Sequence, residues 1–142
     1  MKQLQPSEAL EHGLELFRAS PAHSRYSVDD VYTYLQLPIK YSNIRLYYDE
    51  DVKPVALVTW VWLKPEDAQL FLRDCYHPTE EDYSIDFNND GRELWVMELI
   101  APYGHAKQVV RSITQTSEDR YGNINVHWRR FHSRDKRRTK RF

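Results

Sequence analysis

Cysteine is nearly absent: Cys75 is the only one among 142 residues, and glycine occurs four times. One cysteine cannot form an internal disulfide, so the chain suits a reducing compartment. Asp74 beside it disfavours thiolate chemistry, so Cys75 is not expected to act as a nucleophile. A single cysteine also cannot build a cysteine-based zinc site, and none of the six histidines stands in HExxH spacing. His127 and His132 are five apart, but Arg129 and Arg130 between them would repel a cation, so no metal is expected. The sparse glycines form neither GxGxxG nor GxxxxGK[ST], which leaves no nucleotide-phosphate cradle. No apolar run approaches the roughly 18 residues of a membrane span. The first residues, Met1-Lys2-Gln3-Leu4-Gln5-Pro6, hold no apolar stretch, so neither a secretion signal nor a membrane span is expected and the location read is cytoplasmic.

What is present is an ordinary globular composition for one domain, 41% hydrophobic and 29% charged. Ten Tyr and four Trp favour strands and either an aromatic core or an aromatic-lined groove. The net charge of −1 conceals a polarity. Residues 129–142 hold eight Lys or Arg and one Asp, a net +7 that leaves −8 on the rest. Such an end suits an acidic partner, a disordered solubilising tail or contact with nucleic acid. The domain is therefore expected over 1–128, with 129–142 a basic tail and a candidate for disorder.

Hydrophobic spacing and capping signals predict the elements. A helix is expected over 6–19, with Ser7 as a cap, Leu10, Leu14 and Phe17 on one face, and Ser20-Pro21 as its stop, because a residue before proline avoids the α region. A second helix is capped by Ser27 or Asp29, carries Val31, Tyr34, Leu35 and Leu37, and has Pro38 near its end. Strands follow over 44–48 and 55–63, joined by the Asp49-Glu50-Asp51 turn. A short helix opens at Lys64-Pro65 and runs to Leu72. Residues 76–93 read as a polar loop ending in Asn89-Asp90-Gly91. A strand from Leu94, a helix over 104–115 with Val109, Val110 and Ile113 inward, and a strand over 123–128 complete an ααββαβαβ order. Strands interleaved with helices argue for a layered α/β domain.

Two places carry candidate chemistry. In Leu94-Trp95-Val96-Met97-Glu98-Leu99-Ile100 six apolar residues surround one carboxylate, and a buried Glu is costly without a partner. Far upstream, Ser20-Pro21-Ala22-His23 follows a helix and offers a histidine, the commonest positioned base near neutral pH. On the residues alone, Glu98 is a structural anchor or half of a reactive pair, and His23 is a surface or capping residue or its other half. Ser20 lies three residues from His23, with no nucleophile elbow around it.

Ala19-Ser20-Pro21-Ala22-His23, Lys53-Pro54-Val55-Ala56-Leu57-Val58-Thr59-Trp60 and Trp95…Glu98…Ala101-Pro102-Tyr103-Gly104 together resemble the toxin-activating lysine acyltransferases, bacterial enzymes that fatty-acylate RTX protoxins such as hemolysin. The likeness runs from about residue 7 to 115. It implies a GNAT-like fold with a central, mostly antiparallel sheet flanked by helices. It implies acyl-acyl-carrier-protein as the donor with no cofactor bound, acyl carrier protein and a protoxin or other lysine-bearing protein as partners, a cytosolic enzyme and a homodimer. His23 falls on the family's catalytic histidine. Glu98 falls where the family usually has Asp, one methylene shorter. Ser20, Tyr103 and Gly104 are candidate substrate-binding residues. The basic end departs from the family pattern of further ordered segments, which bears on acceptor recognition.

The chemistry agrees with that resemblance. Making an amide from a thioester needs a neutral amine, while free lysine has a pKa of about 10.4. A histidine base oriented by a carboxylate serves this without an enzyme nucleophile. Pro102-Tyr103-Gly104-His105 is too poor in glycine for a diphosphate cradle, which favours a carrier-protein donor over coenzyme A. Two alternatives stay open: an acetyl-CoA-dependent GNAT N-acetyltransferase, and a non-catalytic nucleic-acid-binding module using the basic tail with Trp128 and Phe131, although nucleic acid is not the expected partner.

Overall fold

A computed structural model describes residues 5–21, 23, 26–85, 91–131 and 137–141. The described residues form ten elements: α1 (Pro6–Ala19), α2 (Val28–Lys40), β1 (Ile44–Tyr48), β2 (Pro54–Leu63), α3 (Pro65–Leu72), α4 (Glu80–Ser84), β3 (Glu93–Ile100), α5 (Ala106–Tyr121), β4 (Val126–Phe131) and β5 (Arg137–Arg141). The strands lie in one sheet in the order β1-β2-β3-β4-β5. The expected α/β class with a mostly antiparallel sheet and flanking helices is the architecture found. The residues group into two compact units, 1–59 with 98–111 and 60–97 with 112–142, and β2, β3 and α5 contribute to both.

In the first unit α1 starts at Pro6, which needs no N–H partner in the first turn, and follows Gln5 rather than the expected cap Ser7. Its buried stripe is Ala9, Gly13, Leu16 and Phe17, while Leu10 and Leu14 are only partly covered. The stripe is displaced from the one expected because small residues let α2 come close. A Cβ at Gly13 would stand 2.8 Å from Leu35 Cδ1. Ser27 caps α2 with a full capping box: its hydroxyl accepts from Asp30 N–H, and the Asp30 carboxylate accepts from Ser27 N–H. Leu16, Phe17, Val31, Leu35, Leu57 and Ile100 form the core here. β1 pairs antiparallel with β2, Ile44 opposite Thr59, with an irregularity at Tyr47/Tyr48. The turn between them is tied by Asp49, whose carboxylate accepts from the Asp51 and Lys53 N–H groups.

In the second unit β3 pairs in parallel with β4, Leu94 opposite Val126. A parallel pair needs a crossover, which α5 supplies. Phe71 meets the Trp95 ring edge-on, and His127 stacks on Trp95 at 4.9 Å. The expected loop over 76–93 contains α4, a single turn capped by Thr79 and Asp82; its residues 86–90, with most of the expected Asn89-Asp90-Gly91 turn, lie outside the described residues. α5 runs on to Tyr121, beyond the expected end at Gln115. β4 starts at Val126 rather than Asn123 and continues through Arg129 and Arg130 to Phe131. Residues 137–141 of the basic segment form β5, antiparallel to β4 with Arg138 opposite Arg130. His132 and the other residues of 132–136 lie outside the described residues.

Candidate active site

The end of α1 positions the candidate base. Ser20 has φ −86° and ψ 120°, extended as Pro21 requires of the residue before it, and its N–H closes the helix on the Leu16 and Phe17 carbonyls. The chain then turns tightly: His23 N–H donates to Ser20 C=O at 3.0 Å and Tyr26 N–H donates to His23 C=O at 3.1 Å. Beneath the imidazole lies the buried Phe17, its ring 5.3 Å away and edge-on at 78°. Tyr26 meets the same imidazole at 5.5 Å, also edge-on. Aromatic edges and faces carry opposite partial charge, so these contacts orient the ring. Ala22, part of the quoted motif, lies outside the described residues.

Glu98 comes from β3. Its backbone N–H donates to the hydroxyl of the fully buried Thr59 on β2 at 3.1 Å. Its carboxylate Oε2 stands 3.1 Å from His23 Nε2, and the two side chains are each 17% exposed. A carboxylate can only accept, so Nε2 carries the hydrogen. In the neutral ring the lone pair is then on Nδ1, and Ser20 Oγ lies 2.8 Å from it, donating its hydrogen. Ser20, His23 and Glu98 thus form one hydrogen-bonded row of hydroxyl, imidazole and carboxylate. Glu98 is half-buried rather than sealed in.

Tyr103 and Gly104 stand in the turn between β3 and α5 and are not members of that row. Gly104 has φ +93°, a left-handed conformation that favours glycine, and its N–H points at Ala101 C=O at 3.4 Å. Tyr103 is exposed, with Lys53 Nζ 5.5 Å from its ring centre. Thr59 was not singled out in the sequence. The available signal was a polar residue within the apolar run of β2, since a buried hydroxyl demands a partner. Among the described residues no group of three His, Cys, Asp or Glu side chains is placed to hold a metal. Among them, too, no helix is long and apolar enough to cross a membrane.

The profile of the RTX toxin acyltransferase family, HlyC, matches residues 2–142. The chain belongs to that family. The resemblance drawn from three short motifs is therefore a membership that covers nearly the whole sequence. Among relatives, the Synechocystis protein sll0720 is 29% identical over 100 residues, 69% of this chain and 64% of that protein. The lysine-acyltransferase RtxC of Vibrio cholerae is 24% identical over 98 residues, 69% of this chain and 61% of RtxC. The leukotoxin-activating lysine-acyltransferase LktC of Mannheimia haemolytica is 24% identical over 104 residues, 73% of this chain and 59% of LktC. The matched regions span about three fifths of the length of these relatives.

Proposed function

We propose that the chain is a protein-lysine acyltransferase that moves a fatty acyl group from acyl carrier protein to an internal lysine of a protein substrate, with RTX-type protoxins as the substrate class. The observation that carries the reading is the Ser20–His23–Glu98 row, held at 2.8 and 3.1 Å, in a member of this family. Two relatives bear the name lysine-acyltransferase. Kinship with the GNAT fold, a homodimer and a cytoplasmic location belong to the same proposal.

Chemically, the acceptor lysine approaches as an ammonium and must lose a proton before its Nζ can attack the thioester carbon. His23 is the base. Because Nε2–H is committed to Glu98, the proton is taken on Nδ1, which faces Ser20. It reaches Nδ1 either when the amine displaces the Ser20 hydroxyl or through that hydroxyl as a relay. Glu98 holds the tautomer and balances the imidazolium. The C–S bond breaks as the amide forms; of the two protons the nitrogen sheds on going from ammonium to amide, one passes through the imidazolium to the leaving thiolate and the other goes to solvent. Residues 129–142, with their +7 charge, would steer an acidic carrier protein by long-range attraction.

The test is to incubate the purified chain with acyl-acyl-carrier-protein or acyl-CoA, together with a lysine-bearing protoxin, and to locate new amides by mass spectrometry. Acylated lysine formed from the carrier-protein donor and absent with His23→Ala is the expected result. Transfer of acetyl from acetyl-CoA alone would favour the N-acetyltransferase alternative.

A further inference from the structure

The aromatic groups around His23 do more than wedge the imidazole. Tyr26 lies 5.5 Å from the His23 ring, and Tyr34 lies 5.5 Å from Tyr26, their planes tilted by 34°. Three rings therefore step outward from the base at equal spacing. Tyr26 and Tyr34 are each 40% exposed, unusual for large side chains packed on one another. Tyr34 sits on α2 one turn after Asp30, and Asp29 is also in that first turn. Residues four apart share a helix face, so ring and carboxylate neighbour one another there. Both aspartates are exposed.

We propose that Tyr34 and Tyr26 form a ledge that receives the acceptor lysine as a cation and delivers it to His23. The inference rests on the acyl-transfer reading above and adds which side chains choose the acceptor. Aromatic faces attract ammonium groups through the ring quadrupole. Lysine arrives charged at neutral pH, because its pKa is about 10.4. The Asp30 carboxylate, one turn from Tyr34, adds negative potential beside the rings, so the ledge complements a cation. A fatty chain would instead seek a closed apolar pocket that covers most of its surface, and two open tyrosine rings beside a carboxylate are poorly suited to that.

The ledge is tested without donor by titrating the full chain with two short peptides, identical except for a central lysine or its uncharged isostere norleucine. Binding is read from the ring resonances of Tyr26 and Tyr34. The lysine peptide is expected to bind about five-fold more tightly, the scale of an exposed cation–π contact. Tyr34→Phe should keep the preference and Tyr34→Leu should lose it, both folded by circular dichroism. In the transfer assay Tyr34→Leu should raise KM for the lysine peptide and leave KM for the acyl donor unchanged. Equal binding of the two peptides, a lysine preference that survives Tyr34→Leu, or a rise confined to the donor's KM would each overturn the ledge. Lysine preference without any acylation would sink the transfer reading alone. Acylation whose lysine affinity ignores both tyrosines would sink the ledge alone.

Discussion

Each unit holds a carboxylate at the centre of a polar network, and the two are built to opposite ends. In the second unit Asp82 receives a hydrogen bond and an ion pair from Arg92 at 2.9 Å, with both side chains 4% exposed. Tyr76, the Thr79 hydroxyl and the Thr79 N–H also donate to it. Arg92 has a further acceptor in Trp62 C=O at 2.9 Å. Burial pushes the Asp82 carboxyl upward, but the hydrogen bonds from Tyr76, Thr79 and Arg92 outweigh it and hold it below the usual range. Burial, and then the bond and charge of Asp82, push the Tyr76 phenol well above its ordinary value. In the first unit the Glu98 carboxylate meets an imidazole, which can change charge, and that imidazole meets a hydroxyl. A carboxylate saturated by permanent donors and hidden from water is a brace. One facing a titratable ring, partly open to solvent, fits the proposed proton transfer.

Removing the ring should separate the two most sharply. His23→Ala is expected to lower acyl transfer on the order of 10²–10⁴-fold, the scale of positioned acid–base help. Thermal unfolding should barely move, because the imidazole is not part of the buried core. Transfer at the wild-type rate by a folded His23→Ala protein would put the first network in the same class as the second.

Asp82→Asn is the mirror experiment. It leaves the Arg92 charge buried without its counter-ion, which typically costs about 3–5 kcal/mol. Chemical denaturation should report that loss, while transfer by the remaining folded protein stays near wild type. The sign with pH follows from the depressed carboxyl. Its folded value lies below the unfolded one, near 3.9, so its stabilisation is full above that value and is lost as pH falls through the folded value. Asp82→Asn should therefore flatten the acid limb of the stability curve below about pH 4.

The sequence made the first network far more legible than the second. Ser20 and His23 are three apart after a proline-stopped helix, and Glu98 stands out as a lone charge in an apolar strand. Their pairing across 75 positions was one of two open readings on the residues alone, and the family resemblance favoured it. Asp82 and Arg92 were hidden inside a polar stretch where charge is the rule. The Thr79-x-x-Asp82 capping box was the signal for α4, but a five-residue helix has too little periodicity to register. α5 outran its expected end because Thr116–Arg120 is a polar continuation, and helices propagate on exposed faces once nucleated. β5 was obscured by composition. Four of its five residues are basic, and lysine and arginine on an edge strand guard against unwanted pairing as readily as they mark a tail.

Glu98→Gln addresses which part of the carboxylate matters. An amide can offer Nε2 a donor instead of an acceptor and cannot balance an imidazolium, so a drop on the order of 10²-fold is expected. Glu98→Asp should retain measurable activity, because Asp is also a carboxylate that can accept from Nε2, with the shorter reach costing part of the rate. A fully active, merely less stable Glu98→Gln protein would make Glu98 a second brace and erase the contrast with Asp82.

Ser20→Ala should have the smallest effect and sharpens the comparison most finely. The hydroxyl is buried and donates to Nδ1, so its loss removes one orienting bond and frees the lone pair for substrate. If the amine reaches His23 by displacing Ser20, the alanine variant should lose only about five-fold, mostly in kcat through looser ring orientation. If the hydroxyl relays the proton, the loss should approach that of His23→Ala, because Ser20 Oγ is the only group at Nδ1 among the described residues. Solvent isotope effects on kcat divide these cases. A relay moves two protons in the transition state and a direct transfer moves one, so a proton-inventory plot that curves for wild type and straightens for Ser20→Ala identifies the relay. A linear plot for both proteins leaves Ser20 as the residue that aims the imidazole.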